Sequence, residues 1–272
     1  MAQTHTPALE VDYGIRSRAH WSLNPTGHVL LFVHGFNGHA TGTWIDFPGQ
    51  MMIHPKVAGC DMVFYGYRSG HRADTSARTL LEFMEALVDP SGRLANSSLL
   101  NRGFAERKNG QKEIKRLTIV AHSLGACVSR RALILHALNN RKTWPVPVQM
   151  ILFAPAHKGA KLLPLVIESL LSIPYGGLGA AGLRFLVPVF KDLVEGCDFL
   201  RDLHTETLEA IEKRHTHLRA EAVYAAGHDL VVEDCTFARD PSAKDIRGTT
   251  HTSVCKPNLV VSRPALELLK FV

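Results

Sequence analysis

Short runs of mainly apolar residues recur along this chain, and they constrain its fold more than any other feature. Four of them span residues 29–33, 61–65, 117–121 and 148–154, and a weaker fifth spans 221–225. Strands buried on both faces of a parallel sheet have this continuous pattern, whereas strands with one solvated face alternate. Each run is followed within two residues by a Gly, His, Ser or Pro that can begin a loop. The runs therefore predict the inner strands of a mainly parallel sheet.

Helical patterns separate these runs. Their apolar spacing predicts helices over 74–88, 124–138, 199–214 and 264–271, with Asp74 or Thr75 able to cap the first of them. Strands that alternate with helices predict an α/β fold, in which ligand sites lie at the carboxyl ends of the strands. A length of 272 residues suits one domain spanning 1–272.

Composition excludes several classes of protein. Hydrophobic residues make up 46% and charged residues 21%, which argues against a disordered or coiled-coil chain. The net charge of +6 is modest, and the basic stretch 89–116 is typical of a solvated surface segment, so we expect no nucleic-acid partner. The five cysteines are widely spaced without a C-x-x-C pair, and no secretory signal is evident, so we expect a cytoplasmic protein.

One segment combines a buried strand, a serine and a helix without an intervening loop. Residues 117–131 read LTIVAHSLGACVSRR, and Ser123 is the only serine in the chain with a glycine two residues later. This is a G-x-S-x-G turn with Ala121 in the first position. The neighbours two residues before and after must be small because the turn is tight, and Ala121 and Gly125 meet that requirement. The segment predicts an exposed nucleophilic Ser123, although an ordinary helix-capping serine is the alternative.

A serine nucleophile needs a base and a carboxylate that orients it. In this kind of site the chain order is serine, acid, histidine, so the last histidine, His251, is the predicted base and His228 is its rival. The acid should follow the strand at 221–225. Asp229 is the first carboxylate after that strand, and Asp234 is the alternative.

Two backbone amides are the predicted oxyanion hole, which holds the negatively charged oxygen of the reaction. Phe36 follows His34-Gly35 at the end of the first strand, and Leu124 opens the helix after Ser123. No nucleotide-binding loop and no metal-binding spacing occur, so we expect neither a cofactor nor a metal.

Residues 160–195 are apolar and rich in Gly and Pro. Their position after the fourth run predicts a cap or lid insertion that walls an acyl chain, and core packing of short helices is an equal alternative. With the positive net charge, such a wall suggests a lipid ester as substrate and peripheral contact with lipid surfaces.

Taken together, these motifs resemble the α/β-hydrolase superfamily over roughly residues 28–260. Within it, the chain is most similar to serine esterases and lipases resembling the serine-active-site-containing protein and the inositol-deacylase-like lipases. The matching motifs are VHGF at 33–36, Trp44, FYGY at 64–67, AHSLG at 121–125, FAP at 153–155, and His251 followed by CKP at 255–257.

The resemblance implies the α/β-hydrolase fold and a serine hydrolase that cleaves small-molecule or lipid carboxylic esters through an acyl-enzyme. It implies Ser123 as nucleophile, His251 as base, and Phe36 and Leu124 as oxyanion donors, with the acid left between Asp229 and Asp234. A thioesterase or amidase with the same triad, and a non-catalytic binding protein on this scaffold, are the alternatives.

Overall fold

The computed structural model describes most of the chain. The described residues are 3–11, 13–45, 47–88, 113–140, 144–162, 164–165, 187–213, 215–227, 229–234, 237, 240–257 and 263–272. Most of the 160–195 stretch, most of the basic stretch 89–116, and His228 lie outside them. The predictions made for those positions therefore stay predictions.

Eight strands form one sheet. They are β1 (Leu9–Glu10), β2 (Arg18–His20), β3 (His28–Val33), β4 (Cys60–Tyr65), β5 (Arg116–His122), β6 (Val148–Phe153), β7 (Ala220–Ala225) and β8 (Lys244–Ile246). Their order across the sheet is β1-β2-β4-β3-β5-β6-β7-β8. The six strands β3 to β8 pair with one another in parallel, and β1 and β2 add an antiparallel edge. The predicted mainly parallel sheet is confirmed.

The helices within the described residues are α1 (Phe47–Met52), α2 (Ala73–Val88), α3 (Leu124–Asn140), α4 (Val187–Leu193), α5 (Asp198–Glu212) and α6 (Arg263–Leu268), with a 3₁₀ turn at Thr216–Leu218. The four predicted helices correspond to α2, α3, α5 and α6, with ends shifted by at most three residues. Helix α2 packs against α3, and α3 against α5. No helix among the described residues is long and apolar enough to span a bilayer.

Burial explains why the apolar runs became central strands. Every residue of β3 and β4 is buried, as are the last six residues of β5. Each of these strands pairs with a neighbour on both edges. Consecutive side chains point to opposite faces of a strand, so burial of every consecutive residue means that both faces are covered. The register then aligns their carboxyl ends, with Val33 opposite Ala121 and His122 opposite Phe153. The loops that follow β3, β5 and β6 therefore meet at one edge of the sheet.

Candidate active site

Ser123 stands between β5 and α3 at the carboxyl edge of the sheet. Its φ angle is +52°, in the left-handed region that residues other than glycine rarely occupy. Its amide donates to the Phe153 carbonyl at 2.9 Å, and its own carbonyl accepts from the Ala126 amide at 3.0 Å. The chain thus passes from the β-ladder into the helix within one strained residue, which is the geometry expected of the A-H-S-L-G turn.

Two glycines make room for this turn. A Cβ on Gly125 would collide with the carbonyl oxygens of Val33 and His34, and a Cβ on Gly35 would lie 2.9 Å from the Ser123 Cβ. The loop after β3 therefore packs directly on the serine. The small residues of the two motifs are required because these backbones touch.

His251 and Asp229 complete a hydrogen-bonded row with Ser123. The Ser123 Oγ lies 3.0 Å from the His251 Nε2, and the His251 Nδ1 lies 3.0 Å from the Asp229 Oδ2. An ionised carboxylate only accepts hydrogen bonds, so the Nδ1–H of His251 donates to Asp229. The Nε2 of the neutral ring then carries no proton and can accept from the serine hydroxyl. The side chains of His251 and Asp229 are each only 2% exposed, which keeps this row out of bulk water.

The second carboxylate oxygen of Asp229 is held by the backbone. Its Oδ1 accepts hydrogen bonds from the amides of Val231 and Val232, each at 2.9 Å. Burial acts to raise the pKa of Asp229, but the hydrogen bond and charge of His251, together with the two amides, leave that pKa below its usual value. Asp229 is therefore held ionised where it faces the imidazole.

Asp234 occupies a different position. It is exposed and interacts with Asp245, and burial together with the charges of Asp245 and Asp229 raises its pKa. The partner of His251 in this structure is Asp229. The rival base, His228, lies outside the described residues.

His122 was not singled out for a role by the sequence analysis, yet it holds His251 in place. Its Nε2–H donates to the His251 carbonyl at 2.8 Å, and the two rings lie 4.9 Å apart. Burial, reinforced by the neighbouring His251, lowers the pKa of His122 to about 3, so this ring stays neutral. Its place beside Ser123 in the motif was the only sequence signal.

His34 organises the loop that carries Phe36. Its Nδ1–H donates to the Gly35 carbonyl at 2.8 Å, while its Nε2 accepts from the Tyr67 amide at 3.2 Å. The Tyr67 hydroxyl donates back to the His34 carbonyl at 2.9 Å. Burial lowers the pKa of His34 to about 4. Phe36 follows Gly35, which packs on Ser123, and Leu124 is the first residue of α3. The role of these two residues as oxyanion donors stays a prediction.

Metal binding finds no counterpart in the described part of the chain. Within it, no group of three or more His, Cys, Asp or Glu side chains is placed to hold a metal ion.

Comparison with solved structures identifies the fold. A lipase from Bacillus licheniformis, BlEst2 in its mature form, superposes with a TM-score of 0.54 at 17% identity, covering 95% of each chain. Carboxyl esterase 2 of Tuber melanosporum gives a TM-score of 0.57 at 12% identity, covering 99% of this chain and 84% of that one. The peroxisomal α/β-hydrolase Lpx1 of Saccharomyces cerevisiae gives 0.55 at 11% identity, with 94% and 80% covered.

At such identities the likeness shows the fold and not the activity. No protein-family model matches the sequence, and no curated protein matches it either.

Proposed function

From its α/β-hydrolase fold, we propose that this protein is a serine hydrolase that cleaves carboxylic esters. The observation that carries the proposal is the Ser123–His251–Asp229 row, with two hydrogen bonds of 3.0 Å, built on a strained strand-to-helix turn. A left-handed non-glycine residue costs on the order of 1–3 kcal/mol and persists where the surroundings enforce it. Here the strained residue is Ser123, whose hydroxyl lies within hydrogen-bond distance of His251.

The reaction follows from the direction of these hydrogen bonds. His251 accepts the Ser123 proton at Nε2 while Oγ forms a bond to the ester carbonyl carbon, and the amides of Phe36 and Leu124 stabilise the resulting oxyanion. The C–O bond to the alcohol then breaks, and His251 returns its proton to the leaving oxygen. Water attacks the acyl-enzyme with His251 again the base, which releases the acid and restores Ser123.

Asp229 has a fixed part in this cycle. It keeps the proton of the neutral ring on Nδ1 and stabilises the imidazolium that forms when Nε2 is protonated. The Val231 and Val232 amides hold its carboxylate in one orientation. Because the row is buried, the charge interaction is less screened than it would be in water.

The test is the intact mass of the protein after incubation with a fluorophosphonate, which reacts with activated serines. The proposal expects one adduct on the native protein, none on Ser123→Ala, and slower labelling of His251→Ala. Ser129→Ala is the matched control, because this serine is buried in the helix that follows Ser123 and should leave labelling unchanged. Absence of an adduct on folded native protein, with and without detergent, would refute the proposal.

A further inference from the structure

Helix α4 lies across the edge of the sheet where Ser123 stands. Its last residue, Leu193, accepts a hydrogen bond at its carbonyl from the Ala160 amide, in the loop after β6, at 2.8 Å. The preceding residue, Asp192, bonds to the start of α2, which follows β4. In the sheet order β4-β3-β5-β6, the ends of β3 and β5 lie between those two attachment points. The carboxyl-terminal half of α4 is therefore placed over the ends of the strands that carry Gly35 and Ser123.

Asp192 fixes this placement. Its side chain is only 1% exposed, and its Oδ2 accepts from the Ala73 amide at 2.8 Å and from the Arg72 Nε at 2.9 Å. A second Arg72 nitrogen lies 2.7 Å from Oδ1. A buried carboxylate is tolerated only with partners of this kind, so these bonds favour one position of α4 against the start of α2.

In this position of α4, Phe190 packs against the loop after β3. Its ring centroid lies 5.4 Å from that of Phe36, and the two rings are tilted by 48°. Phe36 is buried, whereas Phe190 keeps part of its ring accessible. Phe36 follows Gly35, whose Cα packs on Ser123. The two rings together thus form an aromatic wall on the loop that packs against the serine.

We infer that Phe190 contacts the apolar chain of the substrate and sets chain-length preference, and that Asp192 is a positioning residue that holds Phe190 there through Arg72 and the start of α2. This inference rests on the proposed ester hydrolysis at Ser123. The ligand class is an ester whose apolar acyl chain has several carbons. Such a chain extends beyond the residues that immediately surround the serine.

The first experiment compares kcat/KM for p-nitrophenyl acetate and p-nitrophenyl hexanoate. In Phe190→Ala we expect the hexanoate value to fall about tenfold, the scale of a lost apolar contact in a binding pocket, while acetate stays within about twofold. The loss should appear mainly in KM. Phe271→Ala is the matched control, since it removes a partly buried ring at the opposite edge of the sheet and should leave the hexanoate-to-acetate ratio unchanged.

The second experiment separates positioning from general stability. Asp192→Asn and Arg72→Gln should lower the hexanoate-to-acetate ratio in the same direction as Phe190→Ala, with Arg72→Gln the milder change because that side chain is 56% exposed. Adding Asp192→Asn to Phe190→Ala should change the ratio by less than about twofold, because residues that act through one contact are non-additive. Glu85→Gln, which alters a contact of α2 with His136 near the opposite end of that helix, should leave the ratio as in the native protein.

The outcomes distinguish this inference from the proposed function. If the native protein takes up no fluorophosphonate and cleaves neither ester, the proposed function fails. If it is labelled at Ser123 but Phe190→Ala keeps the native ratio or gains on hexanoate, the wall is wrong. If Asp192→Asn lowers the ratio fully in the Phe190→Ala background, Asp192 does not act through Phe190.

Discussion

The two edges of the sheet carry very different chemistry, although the same strands end at both. At the carboxyl edge, Ser123, His251 and Asp229 are buried and hydrogen-bonded to one another. At the amino edge, the beginnings of β6 and β7 line a cavity of about 820 Å³ together with Trp144, His217 and other residues. Among the described residues, this cavity lies at the amino edge and the hydrogen-bonded row of three side chains lies at the carboxyl edge.

The hydrogen bonding of the polar groups differs in the same way. The buried Trp144 Nε1 and His217 Nε2 at the amino edge find no hydrogen-bond partner among the described residues, whereas both ring nitrogens of His251 are used. A cavity reports missing atoms, while catalysis needs donors and acceptors aimed at one reacting centre. In the part of the chain that the structure describes, the cavity and the hydrogen-bonded row therefore mark two different places.

Replacing the carboxylate of the row should give the largest effect. Asp229→Asn keeps the shape of the side chain but allows the wrong tautomer of His251, so we expect kcat to fall by about 10⁴-fold. Asp234→Asn should stay within about twofold, because that carboxylate is exposed and His251 bonds to Asp229 instead. Steady-state hydrolysis of a p-nitrophenyl ester measures both. Equal losses in the two variants would mean that the row seen here is not the working one.

The crowding of the carboxyl edge predicts the next effect. Gly35→Ala places a methyl group 2.9 Å from the Ser123 Cβ and should lower kcat about 10²-fold, the cost of misplacing a reacting group by an ångström. Gly49→Ala, in α1 with nothing within 4 Å, should leave kcat unchanged and raise stability by about 0.5–1 kcal/mol. Ester kinetics and thermal unfolding check the pair. A fully active Gly35→Ala variant would show that the loop does not press on the serine.

Buried histidines predict a pH dependence of stability. Burial lowers the pKa of His28, and of His34 at the carboxyl edge, to about 4 from an ordinary 6.5. Between these values the unfolded chain binds more protons than the folded one, so stability falls as the pH drops from about 6.5 to about 4. His28→Gln should flatten that decline, since the unfolded variant has one histidine fewer to protonate. The check is the melting temperature of both proteins, measured at half-unit pH steps. Equal slopes of melting temperature against pH in the native protein and the variant would contradict the prediction.

The smallest effect should come from the amino edge. His217 lines the cavity and lies in the 3₁₀ turn just before β7, at the opposite end of that strand from the row. In His217→Ala we expect kcat/KM to stay within about twofold. A tenfold loss for the same ester would contradict the separation of the two edges. It would mean that the cavity is coupled to the chemistry through the strands.

Much of the inner fold could be read from the sequence because burial on both faces leaves a visible pattern. The five predicted strands all occur, with ends differing by at most one residue at either side. The edge strands β1, β2 and β8 were missed. They have only two or three residues each, too few to show a period, and they exist because neighbouring strands offer free backbone groups.

Local motifs located the centre of the site, while its distant contacts were invisible in sequence. The strand, small residues and helix around Ser123 pointed to the turn, and chain order pointed to Asp229 and His251. The start of α2 was predicted to be capped by Asp74 or Thr75, but the helix begins at Ala73, whose amide bonds to Asp192, 119 residues away. No local pattern encodes a partner at that separation.

The hydrogen bond between Ser123 and His251 joins residues 128 positions apart. At the usual rates of protein synthesis, about 5–20 residues per second, the histidine is added roughly 6 to 26 s after the serine. Throughout that interval the nascent chain contains the strand, the turn and the helix but no base. We therefore expect the serine to be chemically silent on the ribosome until the last segment has docked, so that a partly made chain does not attack esters around it.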